Sequence, residues 1–160
     1  MHRSGHAVRR ALLASAGAAL SAAFWPAPAA AALGDIEQSV QADGVHMGAK
    51  VAARISAQAG YTQHELTSAS GTLVREFVAP SGVVFAVAWQ GPFMPDLRQL
   101  LGASFDTYMQ SSNRVRSGHS RVAVTEPGLV VESTGHARAF HGRAWLPAAL
   151  PAGVTLDAIK

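Results

Sequence analysis

The segment 83–90 (VVFAVAWQ) constrains the fold more than any other stretch of the chain. Successive side chains of a strand point to opposite faces. Val83, Phe85, Val87 and Trp89 therefore fall on one side, and Val84, Ala86 and Ala88 on the other. A strand without a polar face belongs at the centre of a sheet that is covered on both sides. The rest of the chain has to supply flanking strands and something to cover each face.

The flanking strands follow from β-branched and aromatic residues bounded by turn signals. Residues 61–66 end at Thr67-Ser68-Ala69-Ser70-Gly71, and 72–79 end at Pro80-Ser81-Gly82. Residues 121–125 and 129–133 enclose Glu126-Pro127-Gly128, where Pro then Gly suits the centre of a type II turn. Gly135 separates off a last strand over 136–146, and Pro147 and Pro151 mark an irregular tail. Gly91-Pro92 breaks the central strand, and Leu97, Leu100, Leu101, Phe105, Tyr108 and Met109 then recur at helical period. Pro95 suits the first turn of that helix, and Asp96 its positive end. Arg98, Gln99, Asp106 and Gln110 fall on the opposite side, and the helix ends near 111–113. Gly102 is a liability of about 1 kcal/mol inside it. The expected fold is α+β: a small, mostly antiparallel sheet of about six strands over 61–160, with one amphipathic helix on a face. Residues 33–60 are an N-terminal arm or a short helix, the latter suggested by Met47, Val51 and Ile55 at four-residue spacing.

Residues 1–32 have the order of a secretory signal. Arg3, Arg9 and Arg10 lead an uncharged Ala-rich stretch, and Pro26 opens a small-residue run that ends at Ala32, the expected cleavage point. The apolar part spans about 15 residues, short of the ~20 that cross a bilayer. Arg9-Arg10 before Ala11-Leu12-Leu13 leaves Sec and twin-arginine export both open. The formal charge of +3 comes from 13 basic and 10 acidic residues. Removing the three leader arginines leaves a neutral, scattered charge distribution, which argues against nucleic acid as a partner. No membrane span is expected after cleavage. The chain has no cysteine, so disulfides, thiolate metal sites and a lipid-modified N-terminus are excluded. About 128 residues after the signal suffice for one domain.

The run YTQHELTSASGTLVREFVAPSGVVFAVAWQGPFMPDLRQLLG, followed by HARAFHGRAWLPAALPAG, resembles a family of exported proteobacterial proteins, domain-of-unknown-function family 2844. The matching marks are Gly71, Arg75-Glu76, residues 85–91, residues 95–102, Arg138-Ala139-Phe140 and Gly142-Arg143-Ala144. The resemblance implies export and a single domain, and brings no activity, cofactor or catalytic residue with it.

Chemical motifs are sparse. Beyond the leader, lysine occurs only as Lys50 and Lys160, neither in a Gly-rich phosphate loop. Among His46, His64, His119, His136 and His141 the nearest pair is five apart, which on one regular strand puts them on opposite faces. No metal or other cofactor is expected. Gly102-Ala103-Ser104-Phe105-Asp106 lacks the second glycine and the strand-to-helix turn of a nucleophile elbow. Ser117-Gly118-His119-Ser120 is a loop that holds Ser and His, and Glu76, Asp96 and Asp106 are carboxylates that nothing in the sequence brings together.

The remaining candidate is a recognition surface made of Trp89, Gln90, Arg98, His136, Arg138, His141 and Arg143. On one strand, His136, Arg138 and Phe140 share a face, with His141, Arg143 and Trp145 on the other. Aromatic and guanidinium groups together suit recognition. Alternatively the aromatics are core and the arginines pair with Glu76 or Glu132. The function expected is a non-catalytic binding or accessory module of the cell envelope, periplasmic or secreted, that meets another envelope protein or component. The alternatives are a small envelope hydrolase using Ser or Asp with His136 or His141, and a periplasmic metal-handling protein.

Overall fold

The computed structural model describes residues 33–56, 60–114 and 121–160. The expected export signal and the Ser-His loop 117–120 lie outside the described residues. Strands β1 (Lys50–Ser56), β2 (Tyr61–Thr67), β3 (Leu73–Val78), β4 (Val84–Gly91), β5 (Arg121–Glu126), β6 (Leu129–His136) and β7 (Ala139–Trp145) form one sheet. Its order is β1-β2-β3-β4-β7-β6-β5, with every neighbouring pair antiparallel. Helices α1 (Ser39–His46), α2 (Leu97–Leu101) and α3 (Phe105–Arg114) complete an α+β fold. The seventh strand is β1. The Met47, Val51 and Ile55 spacing, read as helical, runs from the end of α1 into this edge strand.

β4 is fourth of the seven strands, where its two-sided apolar pattern puts it. Its sidedness differs from simple alternation. The β3–β4 register shifts between Phe77 and Val78, leaving Phe85 as an extra residue on β4. That bulge groups Phe85 with Ala86 and Ala88, and Val84 with Val87 and Trp89.

One face carries Leu66, Val74, Val87, Trp89, Val131 and Ala144 and packs against Val40 of α1, Leu100 and Leu101 of α2 and Tyr108 of α3. The expected single helix is two. Gly102 takes φ 47° and ψ −123°, which ends α2, and a 3₁₀ turn (Gly102–Ser104) leads into α3. The break leaves both halves of the Leu-aromatic stripe on the sheet, except Met109, which is exposed. Asp96 caps α2 by accepting from Arg98 N and Gln99 N at 2.9 and 3.2 Å, so Pro95 precedes the cap instead of opening the first turn.

The opposite face carries Phe77, Phe85, Ala86, Ala88 and Trp145, joined by Tyr61 in edge-on contact with both phenylalanines. What covers it is the chain after β7. Two 3₁₀ turns (Pro147–Ala149 and Leu156–Ala158) bring Leu150, Val154 and the fully buried Ile159 against those rings.

Candidate functional site

Antiparallel pairing aligns the tail-side residues of neighbouring strands in rows. The innermost row, Gln63, Phe77, Ala86, Trp145, Val130 and Thr125, is mainly apolar. The next holds Glu65, Arg75, Ala88, Arg143, Glu132 and Ala123. Here Arg75 Nε meets Glu65 Oε1 at 3.1 Å, and Arg143 Nη2 meets Glu132 Oε2 at 2.7 Å. Both guanidinium groups also fasten the tail: Arg75 donates to the main-chain oxygen of Lys160 at 2.8 Å, and Arg143 to that of Leu156 at 2.6 Å. The outer row is Thr67, Leu73, Gln90, His141, Thr134 and Arg121. The tail stops short of it.

That outer row borders an open cleft of about 1000 Å³, walled by Gly71 and Pro92 on one side, Arg138 and Ala139 on another, and Ile159 and Lys160 at the tail. Four basic side chains line it, Arg121, Arg138, Arg143 and Lys160, against one acidic side chain, Glu132, which Arg143 already neutralises. Thr134 Oγ1 lies 2.5 Å from His141 Nε2 across the β6–β7 pair.

Arg138 reaches the cleft through a turn that the sequence does not signal. His136 pairs with Ala139, so the stretch expected as one strand from 136 to 146 is instead a tight hairpin, with Ala137-Arg138 as its loop. Arg138 sits at φ 65°, the left-handed region that glycine occupies freely and arginine rarely. His141, Arg143 and Trp145 share a face as expected, but the hairpin undoes the grouping of His136 with Phe140. His136 and His141 lie on the same face of the sheet, on adjacent strands, because the turn intervenes between them.

Of the residues singled out in sequence, Trp89, Gln90, Arg138, His141 and Arg143 line the cleft. Trp89 is nevertheless a core residue, 2% exposed, its ring lying where a Cβ on Gly142 would sit 2.4 Å away. Arg98 is on the helix side, 4.4 Å over the Phe105 ring, and His136 lies outside the lining. Arg121, Thr134 and Thr67 were not foreseen, since only the register joins them to the others, nor was Lys160, which the tail brings there. Among the described residues no three His, Asp or Glu side chains come together as a metal-binding group.

A second polar cluster is sealed between sheet and helices. Asp43 of α1 accepts a short hydrogen bond from Gln99 Nε2 of α2, and the Glu76 carboxyl of β3, when protonated, can donate to Asp43. Burial, then the bond to Asp43 and its negative charge, push the Glu76 carboxyl up to about 9, so it is protonated at neutral pH. His64, opposite Glu76 on β2, has its Nε2 2.8 Å from Glu37 Oε1. Among the described residues Glu76 pairs with no arginine; of the two acids expected to hold one, Glu132 does, with Arg143, while Arg75 takes Glu65. With Asp43 and Glu76 at 0% and 1% exposure, this cluster pins α1 and α2 to the sheet, closed off from solvent.

The model of the family described as Protein of unknown function (DUF2844) matches residues 29–159. No curated protein and no solved structure matches the chain. The family match takes in both layers, the hairpin and every residue lining the cleft except Lys160, and the chain belongs to the DUF2844 family.

Proposed function

We propose that the protein is exported and serves as a binding module of the cell envelope, periplasmic or secreted, with the tail-side cleft as its ligand site. The observation that carries the binding reading is the uncovered outer row. On a face that the tail otherwise closes, hydroxyl, amide, imidazole and guanidinium groups converge on an open cleft, the usual make-up of a ligand site. Export is supported by the charge, apolar and small-residue order of residues 1–32, with cleavage near Ala32. No helix among the described residues is long and apolar enough to cross a membrane.

The hydrolase alternative has one observation in its favour, the Thr134–His141 contact in the cleft. A hydroxyl nucleophile and its base need a third group to orient the base. The cleft's carboxylate, Glu132, is bound to Arg143 instead.

Two measurements test the proposal. Mass spectrometry of the protein recovered from the envelope fraction should find a chain that begins near Leu33; an intact Met1 there overturns export. Adding soluble envelope extract to the isotope-labelled protein should shift the NMR resonances of Gln90, Thr134 and His141. Unshifted resonances together with turnover of a general ester or peptide substrate would replace the binding reading with the hydrolase one.

A further inference from the structure

We infer that the cleft takes a carboxylate-bearing oligosaccharide, its acid groups held by Arg121 and Arg138 and its hydroxyls by Thr67, Gln90, Thr134 and His141; this rests on the binding reading above. Charge gives the first argument. Among the described residues no carboxylate pairs with Arg121, Arg138 or Lys160, while the acid that does line the cleft is neutralised by Arg143. The surplus is positive, and arginine binds carboxylates through two parallel N–H groups.

Strain gives the second. Arg138 is the one non-glycine among the described residues at positive φ. Such outliers gather where a ligand contact holds them in place. A glycine or asparagine would make this turn more easily, yet neither could place a guanidinium at the rim of the cleft.

The third argument separates a sugar from a peptide. The cleft lies on a face of the sheet, where main-chain amides and carbonyls are already spent in the β3–β4–β7–β6 ladders. A peptide that binds by strand addition would use the free edge of β5, beyond Arg121, and not this floor. What the floor offers are side chains that both donate and accept, Thr67, Gln90, Thr134 and His141, which match hydroxyls of the same dual character. Leu73 adds apolar lining for the carbon face of a ring. From Leu73 on β3 to Arg121 on β5 the row crosses five neighbouring strands, about 19 Å at ~4.8 Å per strand. That is the span of a short oligomer, not of a single anion.

The test is calorimetric titration at low salt of the protein purified from expressing cells, with tetragalacturonate, maltotetraose, pentaglutamate and inorganic phosphate as probes. Tetragalacturonate should bind, more weakly as salt rises, and maltotetraose at least about tenfold more weakly. Arg121→Ala and Arg138→Gly should each weaken tetragalacturonate about tenfold, as loss of a charge-assisted contact does. Arg121 is exposed on an edge strand and Arg138→Gly relieves a strained turn, so both variants fold, as a thermal melt will show. The inference is overturned if tetragalacturonate fails to bind, or if the double variant binds it as well as the parent does. It is also overturned if pentaglutamate or phosphate binds more tightly than the acidic sugar. Should no probe bind while envelope extract still shifts Gln90, Thr134 and His141, the ligand class is wrong and the binding reading stands; silence in both experiments removes both.

Discussion

Replacing Glu76 by glutamine should stabilise the protein at neutral and alkaline pH and change little near pH 4. The carboxyl ionises near 4.5 when unfolded and at about 9 when folded, because it is buried beside Asp43. Below 4.5 it is protonated in both states. Between the two values the folded chain holds one proton that the unfolded chain has released, so stability falls as pH rises, by about 1.4 kcal/mol per pH unit. From pH 5 to pH 7 this amounts to about 3 kcal/mol, a large part of the stability of a domain this size. Glutamine keeps the shape and offers Asp43 an N–H in place of the acid O–H, with no proton to lose. The groups facing the site, Asp43, His64 and Glu37, are the same in both proteins, and so largely cancel in the difference. The assay is urea unfolding of parent and Glu76→Gln at pH 5, 6, 7 and 8. The advantage of the variant should grow with pH to about 3 kcal/mol at pH 7, or roughly 10 °C in Tm. A difference independent of pH, or a variant less stable than the parent at pH 8, would refute the protonated Glu76–Asp43 pair.

Gly102→Ala should lower stability by about 1–2 kcal/mol in a thermal melt, since φ 47° is unfavourable for a side chain. A continuous helix would instead gain about 1 kcal/mol from the same change, so the sign alone distinguishes the two. Arg138→Gly should raise stability by about 1 kcal/mol by releasing the positive-φ turn, and a fall in Tm would show that the turn is not strained. Ile159→Ala should cost about 2–5 kcal/mol in chemical unfolding, because the side chain is fully buried against the tail-side rings. A cost under 1 kcal/mol would mean that the tail is not a layer of the core.

The sequence patterns that succeeded are those set by neighbours a few residues away. Residues 83–90 place themselves at the sheet centre through their own two-sided apolarity, and Pro127-Gly128 marks the β5–β6 turn. The failures need partners distant in the chain. The side on which Phe85 falls depends on a register shift against Phe77 and Val78. Thr67 and Arg121 join Gln90 and His141 only through successive strand pairings across the sheet, and the Glu76 proton depends on a helix residue, Asp43, that carries no local sign of burial. The β6–β7 hairpin is a failure of another kind, because it is local and was still hidden. Asn-Gly at 137–138 would have marked the turn and removed its strain; Ala137-Arg138 does neither. Sequences that specify a fold tend to agree with their local geometry, and exceptions concentrate where a side chain serves something other than folding. Arg138 is such an exception, and it stands at the open end of a basic, uncovered polar row. The residue that concealed the hairpin is thus the one whose replacement by glycine separates folding from binding: stability should rise as the hold on an acidic ligand weakens.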